Sequence, residues 1–319
     1  MRENKNYLIT GATGYIGSKI VDYLYEKNSN DKLSIVVRDA SKVGSIREKV
    51  EIIEADLTSK DIVGKVQGCW DYIIHCAAIT NSSKMVASPV ETIESIVNTT
   101  QNIMKLACRY QPKSIVYLSS MEVYGKVDCN EGNRISENEL GEIDIFNVRS
   151  CYPLGKRMAE NICYSYYKEY NIPVKIARLA QTFGSGVLLS DTRVFAQFAK
   201  AAKTGNNIIL HTHGNSMGNY CGIEDSVVGI MTILEKGISG EAYNVVNEEN
   251  TMSIRQVAEL VASKIADGKI MVTYDIPDNN IYGYAINTTL RLSGQKLMSL
   301  GWKPSKSIED MFRDMISEL

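Results

Sequence analysis

Two groups of residues in this sequence have the types and spacing to do chemistry together. The first is Gly11, Gly14 and Gly17 in YLITGATGYIG, residues 7–17. A short apolar run ends there and an amphipathic stretch begins near Tyr15. Gly11 permits a tight turn, Gly14 has no side chain to obstruct a pyrophosphate, and Gly17 lets helix and strand approach closely. Thr13, Tyr15 and Ile16 share that turn, and the helix start offers unpaired N–H groups and partial positive charge to phosphates. A strand before the glycines and a helix after them are the context that makes this a dinucleotide site.

The second group could move a hydride. YLSSMEVYG, residues 117–125, carries Ser119, Ser120 and Glu122 at the end of an apolar run; CYPLGKRMAE, residues 151–160, carries Tyr152 and Lys156 one helical turn apart. Removing hydride from a carbinol carbon needs a base for the hydroxyl proton. A phenol near pKa 10 is a poor base at neutral pH unless a cation lowers it, and Lys156 with a positive nicotinamide ring would do so. Lys156 can also bond the cofactor ribose, and Ser120 can orient the substrate hydroxyl. Tyr-x-x-x-Lys alone proves little, since Tyr15/Lys19, Tyr23/Lys27 and Tyr164/Lys168 share the spacing. Only Tyr152 stands near the start of its helix and follows the serine-bearing strand end.

The elements that must position these groups alternate in type. Strands are expected at Tyr7–Thr10, Leu33–Val37, Val50–Glu54, Tyr72–His75, Ser114–Leu118 and Val174–Arg178. Helices are expected at Ile16–Lys27, Pro89–Tyr110 and Tyr152–Tyr170. This pattern predicts an α/β fold, a Rossmann-type doubly wound parallel sheet, with ligands beyond the carboxyl ends of the strands. Past residue 180 the texture changes. Helices are expected at Arg193–Thr204, Ser226–Lys236, Ser253–Ala266, Ser293–Leu300 and Ser307–Leu319, with strands at Glu241–Val246 and Ile270–Tyr274. We therefore expect a dinucleotide-binding domain over 1–180 and a smaller C-terminal α/β substrate lobe over 181–319. The boundary is soft, because the strand near 242–246 and the helix before it could rejoin the first domain.

Composition excludes several classes. A net charge of −2 gives no basic footprint for nucleic acid or a membrane surface. No apolar run approaches a membrane span, and MRENKNY has no hydrophobic signal region. Seven cysteines without a CxxC pair suggest reduced thiols and a cytoplasmic protein. His211 and His213 alternate beside a strand-like segment, but three histidines in all make no convincing metal site, and none is expected.

GATGYIG, HCAA (75–78), SSMEVYG and Tyr-x-x-x-Lys in this order resemble the extended short-chain dehydrogenase/reductase family, and within it the NAD-dependent nucleotide-sugar epimerases, dehydratases and decarboxylases. RSCYPLGKRMAE (149–160) is similar to the corresponding stretch of UDP-glucuronate decarboxylases. RLAQTFGSG (178–186), DTRV (191–194), IEDSV (223–227) and LGWKP (300–304) match later landmarks. The resemblance implies that Tyr152 is the base, Lys156 its partner and Ser120 the hydroxyl group. It places Asp56 and Leu57 at the adenine, with Ala77, Ala78 and Ser119 lining the cofactor pocket. Gln181, Arg193 and Arg291 become candidates for contacts with a nucleotide-activated sugar. It also implies a homodimer through the helices at Pro89–Tyr110 and Tyr152–Tyr170.

Departures from the family pattern bear on the reaction. Dehydratases carry Thr-Asp-Glu where this chain has Ser120, Met121 and Glu122, and methionine cannot donate a proton. Decarboxylases have an arginine where Gly218 aligns. Gln181 stands where asparagine is common, and Ser185 where proline is usual. Strand two ends in Val37, Arg38, Asp39: an acid there binds the ribose of NAD, an arginine the 2′-phosphate of NADP. By register Arg38 takes the critical position, with Lys42 near, so the cofactor stays open as NAD or NADP. The leading expectation is epimerisation through a transient ketone. NADPH-dependent reduction, decarboxylation and dehydration are the enzymatic alternatives, and a non-enzymatic dinucleotide sensor is a further one.

Overall fold

The computed structural model describes residues 4–127, 133–187, 191–278 and 289–318. The chain runs β1 (Asn6–Thr10), α1 (Tyr15–Lys27), β2 (Lys32–Val37), β3 (Glu51–Glu54), α2 (Ile62–Lys65), β4 (Tyr72–His75), α3 (Ser82–Ala87), α4 (Pro89–Tyr110), β5 (Ser114–Ser120), α5 (Cys151–Tyr170) and β6 (Val174–Leu179). It continues through β7 (Gln181–Phe183), α6 (Val194–Thr204), β8 (Ile208–Leu210), β9 (Met217–Gly222), α7 (Ile223–Lys236), β10 (Ala242–Val245) and β11 (Asn247–Ser253). It ends with α8 (Ile254–Leu260), β12 (Val272–Tyr274), α9 (Gln295–Met298) and α10 (Ile308–Glu318).

Seven strands form one parallel sheet, in the order β10-β6-β5-β4-β1-β2-β3. Alternate side chains serve opposite faces, as the period of two dictates. Ile9, Ile35, Ile74 and Val116 join α1 and α7 in one core, whereas Leu8, Val36, Ile73 and Ile115 join α4 and α5 in the other. Both faces are covered, which is why the strands read as near-continuous apolar runs. Pro at the first position of α4 and left-handed Gln111 at its end bound that helix; left-handed Asn171 ends α5. The order reverses between β1 and β4, and a crevice opens beyond their carboxyl ends.

The chain past residue 180 divides its contribution. α7 and β10 return to the first sheet, the possibility the sequence left open. Leu290, Leu292, Leu297 and Trp302 join them in that core, and most of the remainder builds a third core around Phe183, Phe195, Phe198, Tyr220 and Phe312. Two small sheets frame it, β11-β9-β7 and β12-β8. Expected boundaries shift here. α7 starts at Ile223 rather than Ser226, and the helix expected over Ser293–Leu300 keeps only Gln295–Met298. The one expected over Ser253–Ala266 begins with a Ser253/Gln256 capping box and passes into a π-turn at Val261–Ile265. Among the described residues no helix is long and apolar enough to cross a membrane.

Candidate active site

One cleft of about 2290 Å³ lies over the carboxyl ends of the sheet and reaches the second lobe. Its floor is the turn between β1 and α1. Gly11 has φ 68°, and a Cβ there would come within 2.9 Å of the Ala77 backbone across the switch point. Gly14 N–H closes the turn onto the Gly11 carbonyl oxygen at 3.0 Å, and Gly14 caps α1. A Cβ on Gly17 would strike that same carbonyl oxygen. Thr13, Tyr15 and Ile16 line the cleft with these glycines. The crowded backbone cradle at a helix start, open toward the cleft, fits a dinucleotide pyrophosphate.

β1 and β4 are pinned together beneath this turn. Thr10 Oγ1 lies 2.7 Å from His75 Nδ1 and accepts from Ala77 N–H at 3.2 Å; His75 Nε2 lies 3.3 Å from Thr100 Oγ1. Burial, helped by the Lys156 charge, pushes the His75 pKa down to about 3. Spacing in the sequence does not reveal this cross-link.

Arg38, Asp56, Leu57, Ala77 and Ala78, the residues expected to contact the cofactor, all line the cleft. Asn102 on α4 holds the backbone there, donating from Nδ2 to the Leu57 and Ser59 carbonyls at 2.8 and 3.0 Å. Asp56 accepts from Thr58 N–H at 2.9 Å, the main cause that holds its carboxyl below the usual range. Arg38 projects past the end of β2, exposed, and among the described residues no hydrogen bond or ion pair engages its side chain. Asp39 is occupied: its carboxylate accepts from Ser41 N–H and Oγ and lies 3.5 Å from Lys42 Nζ.

Ser120, Glu122, Tyr152 and Lys156, the expected catalytic group, share the cleft wall. Lys156 is buried, donates from Nζ to the Leu118 carbonyl at 2.7 Å and lies 5.9 Å from the Tyr152 ring centre. Burial lowers its pKa to about 8, opposed by the charge of Glu160. The sequence leads one to expect a depressed phenol in Tyr152. The structure differs: burial first, and then Glu122, push it well above its ordinary value. A hydrogen bond with Ser120 and the charges of Arg149 and Arg193 pull the other way.

Ser119 lines the pocket but donates its Oγ to Glu160 Oε1 at 2.5 Å. Arg178 clamps that carboxylate, with Nη2 to Oε2 at 2.7 Å, and also reaches the Tyr124 hydroxyl and the Glu137 carbonyl. Glu122 is partly exposed and accepts from Arg149 Nη2 at 2.9 Å. Arg149 is the polar residue the sequence reading passed over. It sits in the quoted stretch RSCYPLGKRMAE, and the only cue was its position three residues before Tyr152.

Of the candidate substrate contacts, Gln181 and Arg193 reach the cleft. Arg193 is chelated by Asp191, with Nη2 to Oδ2 at 2.6 Å, and its guanidinium lies 4.6 Å from the Phe195 ring centre. Arg291 is not among the residues that line the cleft, although Leu290 beside it is. Its carbonyl accepts from Ile135 N–H at 2.7 Å, and Ile135 and Leu292 form a parallel bridge. Ser185 ties the loop after β7 down, accepting from Lys19 Nζ and donating to Glu224 at 2.7 Å. Among the described residues no three His, Cys, Asp or Glu gather as a metal site, and His211 Nδ1 lies 2.9 Å from the Asp275 carbonyl oxygen.

Comparison with known proteins gives this geometry a setting. The sequence profile of the NAD dependent epimerase/dehydratase family matches residues 7–246. UDP-glucuronic acid decarboxylase 6 of Arabidopsis thaliana is 30% identical over 287 residues, spanning 87% of this chain and 80% of that protein. UDP-glucose 4-epimerase of Thermotoga maritima, solved with UDP-glucose, superposes with TM-score 0.83 at 19% identity, covering 98% of each chain. UDP-glucuronic acid 4-epimerase from Bacillus cereus, solved with UDP-glucuronic acid and NAD, gives TM-score 0.81 at 21% identity, again over 98% of each. At such identities these two likenesses are of fold.

Proposed function

The chain belongs to the NAD-dependent epimerase/dehydratase family, and from that premise we propose that it epimerises a nucleotide-activated sugar through a transient ketone. What supports the reading is one cleft lined by the glycine turn, Ser120, Tyr152 and Lys156 together. A bound dinucleotide would supply the hydride chemistry, and the glycine turn, Arg38 and Lys156 would hold it. Gly11, Gly14 and Gly17 leave room for its pyrophosphate, and the first amides of α1 bind the phosphates. Tyr152 takes the hydroxyl proton and gives it back. Ser120 orients that hydroxyl. Lys156, with one Nζ proton on the Leu118 carbonyl, has donors left for a ribose hydroxyl. Met121 offers no proton for water elimination, so the residues favour inversion over dehydration.

Between the two dinucleotides we favour NADP. Arg38 has no hydrogen bond or ion pair among the described residues, its charge acting on nearby Asp56, while Asp39 is held by Ser41 and Lys42, and an arginine pairs well with phosphate. We further propose that the active form is a homodimer through α4 and α5, whose outer faces expose Val90, Ile93 and Met158.

A second reading is decarboxylation of a nucleotide-linked uronic acid, favoured by the 30% identity to the plant decarboxylase. Incubation with a panel of nucleotide sugars, read by product mass, separates the two. Unchanged mass with an altered sugar supports epimerisation, and loss of carbon dioxide supports the second reading. Tyr152→Phe should abolish turnover while dinucleotide still binds. Full activity in that variant removes the base from the scheme.

A further inference from the structure

The cleft contains an ion pair that the scheme above leaves without a role. Arg149 Nη2 donates to Glu122 Oε1 at 2.9 Å, and the guanidinium carbon lies 5.6 Å from the centre of the Tyr152 ring. Each partner is held from its own side. Glu122 follows the end of β5, where its N–H donates to Ser120 Oγ at 3.2 Å. Arg149 sits in the short turn Val148–Ser150, whose start is capped by the Asn147 side chain at 2.9 Å. The pair therefore bridges the two segments that carry Ser120 and Tyr152. Arg149 Nη1 is buried without a hydrogen-bond partner. Leaving a buried donor unpaired opposes folding, so it offsets part of what the Glu122 ion pair contributes to stability.

We propose that Arg149 is a positioning residue for the reaction: it fixes the Glu122 carboxylate in the cleft and balances that negative charge beside the Tyr152 hydroxyl. This rests on Tyr152 being the base. Several groups face the phenol. β5 and the turn after it supply Tyr117, Ser120 and Glu122. The turn before α5 supplies Arg149, the start of α6 supplies Arg193, and α5 itself supplies Lys156. Glu122 resists formation of a phenolate, whereas Arg149 and Arg193 assist it. Without Arg149 the acid stands uncompensated next to the base, and its side chain loses the contact that fixes it.

The test compares wild type with Arg149→Gln, Arg149→Lys, Glu122→Gln and the double variant Arg149→Gln/Glu122→Gln, each first checked for a wild-type-like melting transition. On the nucleotide sugar that wild type turns over, the rising limb of the kcat/KM profile should move up by roughly one pH unit in Arg149→Gln, as expected for losing a charge some 6 Å away. Arg149→Lys should recover at least half of that displacement. The double variant should return the limb toward its wild-type position even if the rate falls, because both charges are gone. An unmoved limb in folded Arg149→Gln, or an equal displacement in the double variant, overturns the proposal. A second readout needs no substrate. Tyrosinate absorbance at one alkaline pH, taken as the part lost in the matching Tyr152→Phe background, should rank Glu122→Gln above wild type and wild type above Arg149→Gln. Equal values refute the proposal. If that ranking holds but wild type turns over no nucleotide sugar, the functional reading fails and the charge balance stands. If Arg149→Gln does not fold, Arg149→Lys and Glu122→Gln give the same ranking test.

Discussion

Gly17→Ala places one methyl group where α1 crosses the end of β1. The added Cβ would strike the Gly11 carbonyl oxygen and lie 2.8 Å from both Ala12 Cα and the Gly11 carbonyl carbon. All three are backbone atoms, so no rotamer change can clear them. Restoring ordinary contact requires the start of α1 to lift by about half an ångström or more. Overpacking of this kind costs about 1–3 kcal/mol. For a chain of this size that is roughly 1.5–4.5 °C in Tm. The same displacement moves the amides that the cofactor phosphates would meet. Losing one hydrogen bond to a charged group, about 1.5–3 kcal/mol, weakens dinucleotide binding on the order of 10- to 150-fold. Calorimetric melting and a fluorescence titration with dinucleotide measure the two effects separately. Gly64→Ala is the control: Gly64 is exposed in α2 with nothing within 4 Å of an added Cβ. That variant should be neutral or more stable by up to about 1 kcal/mol. A Gly17→Ala protein with wild-type Tm and wild-type dinucleotide affinity would refute the steric account of the turn.

Arg38→Ser should raise the Kd for NADP by about tenfold or more while changing that for NAD by less than about threefold, as read by titration calorimetry; equal losses for both would remove Arg38 from 2′-phosphate recognition. His75 gives a pH dependence. Its pKa is about 3 folded against 6.5 in the free side chain, so between those values the unfolded chain binds a proton that the folded chain does not. Stability from this group is therefore intact above pH 6.5 and lost as pH falls through the window, by up to about 1.4 kcal/mol per pH unit. Urea midpoints between pH 7.5 and 5 should fall less steeply in His75→Asn than in wild type, and parallel slopes would contradict the assignment.

The sheet was legible because local pattern and burial coincide in it, and the proposed pair Tyr152 and Lys156 stood out by its place in that pattern. β1, β2, β4, β5 and β6 are buried on both faces and announce themselves as apolar runs. Tyr152 and Lys156 could be chosen among four equal spacings because only one follows a serine-bearing strand end. β9 and β11 were not legible. They read MGNYCG and NEENTMS, without apolar alternation, and side chains help to hold them: Asn219 donates to the Leu290 carbonyl at 2.8 Å and accepts from Leu292 N–H at 2.9 Å. The direction in which the protein's own groups push the Tyr152 phenol was not legible, for a related reason. Sequence spacing brings Lys156 to mind, whereas burial and Glu122, thirty positions earlier, decide the direction.

The return of β10 to the sheet matters for the same site. A lysine buried as deeply as Lys156 tends to lose its proton, and the nearby carboxylate of Glu160, one helical turn on, counters that. A buried carboxylate in turn needs its own partners. Glu160 finds them in Arg178 on β6 and in Ser119. Arg178 is steadied by the Tyr124 hydroxyl, which donates to Asn244 Oδ1 at 2.7 Å, and Asn244 lies on β10. Glu137 closes the far side, accepting from Asn244 N–H at 2.8 Å while its carbonyl takes Arg178 Nη1. The charge on Lys156 is thus supported by a chain of contacts that runs from α5 through β6 to a strand sixty-odd residues later. A division of the chain at residue 180 cuts through that support. The late segment returns chiefly by burying Tyr243 and Val245 of β10 and the apolar face of α7 against the sheet, and it brings Asn244 to close the Arg178 end of the network.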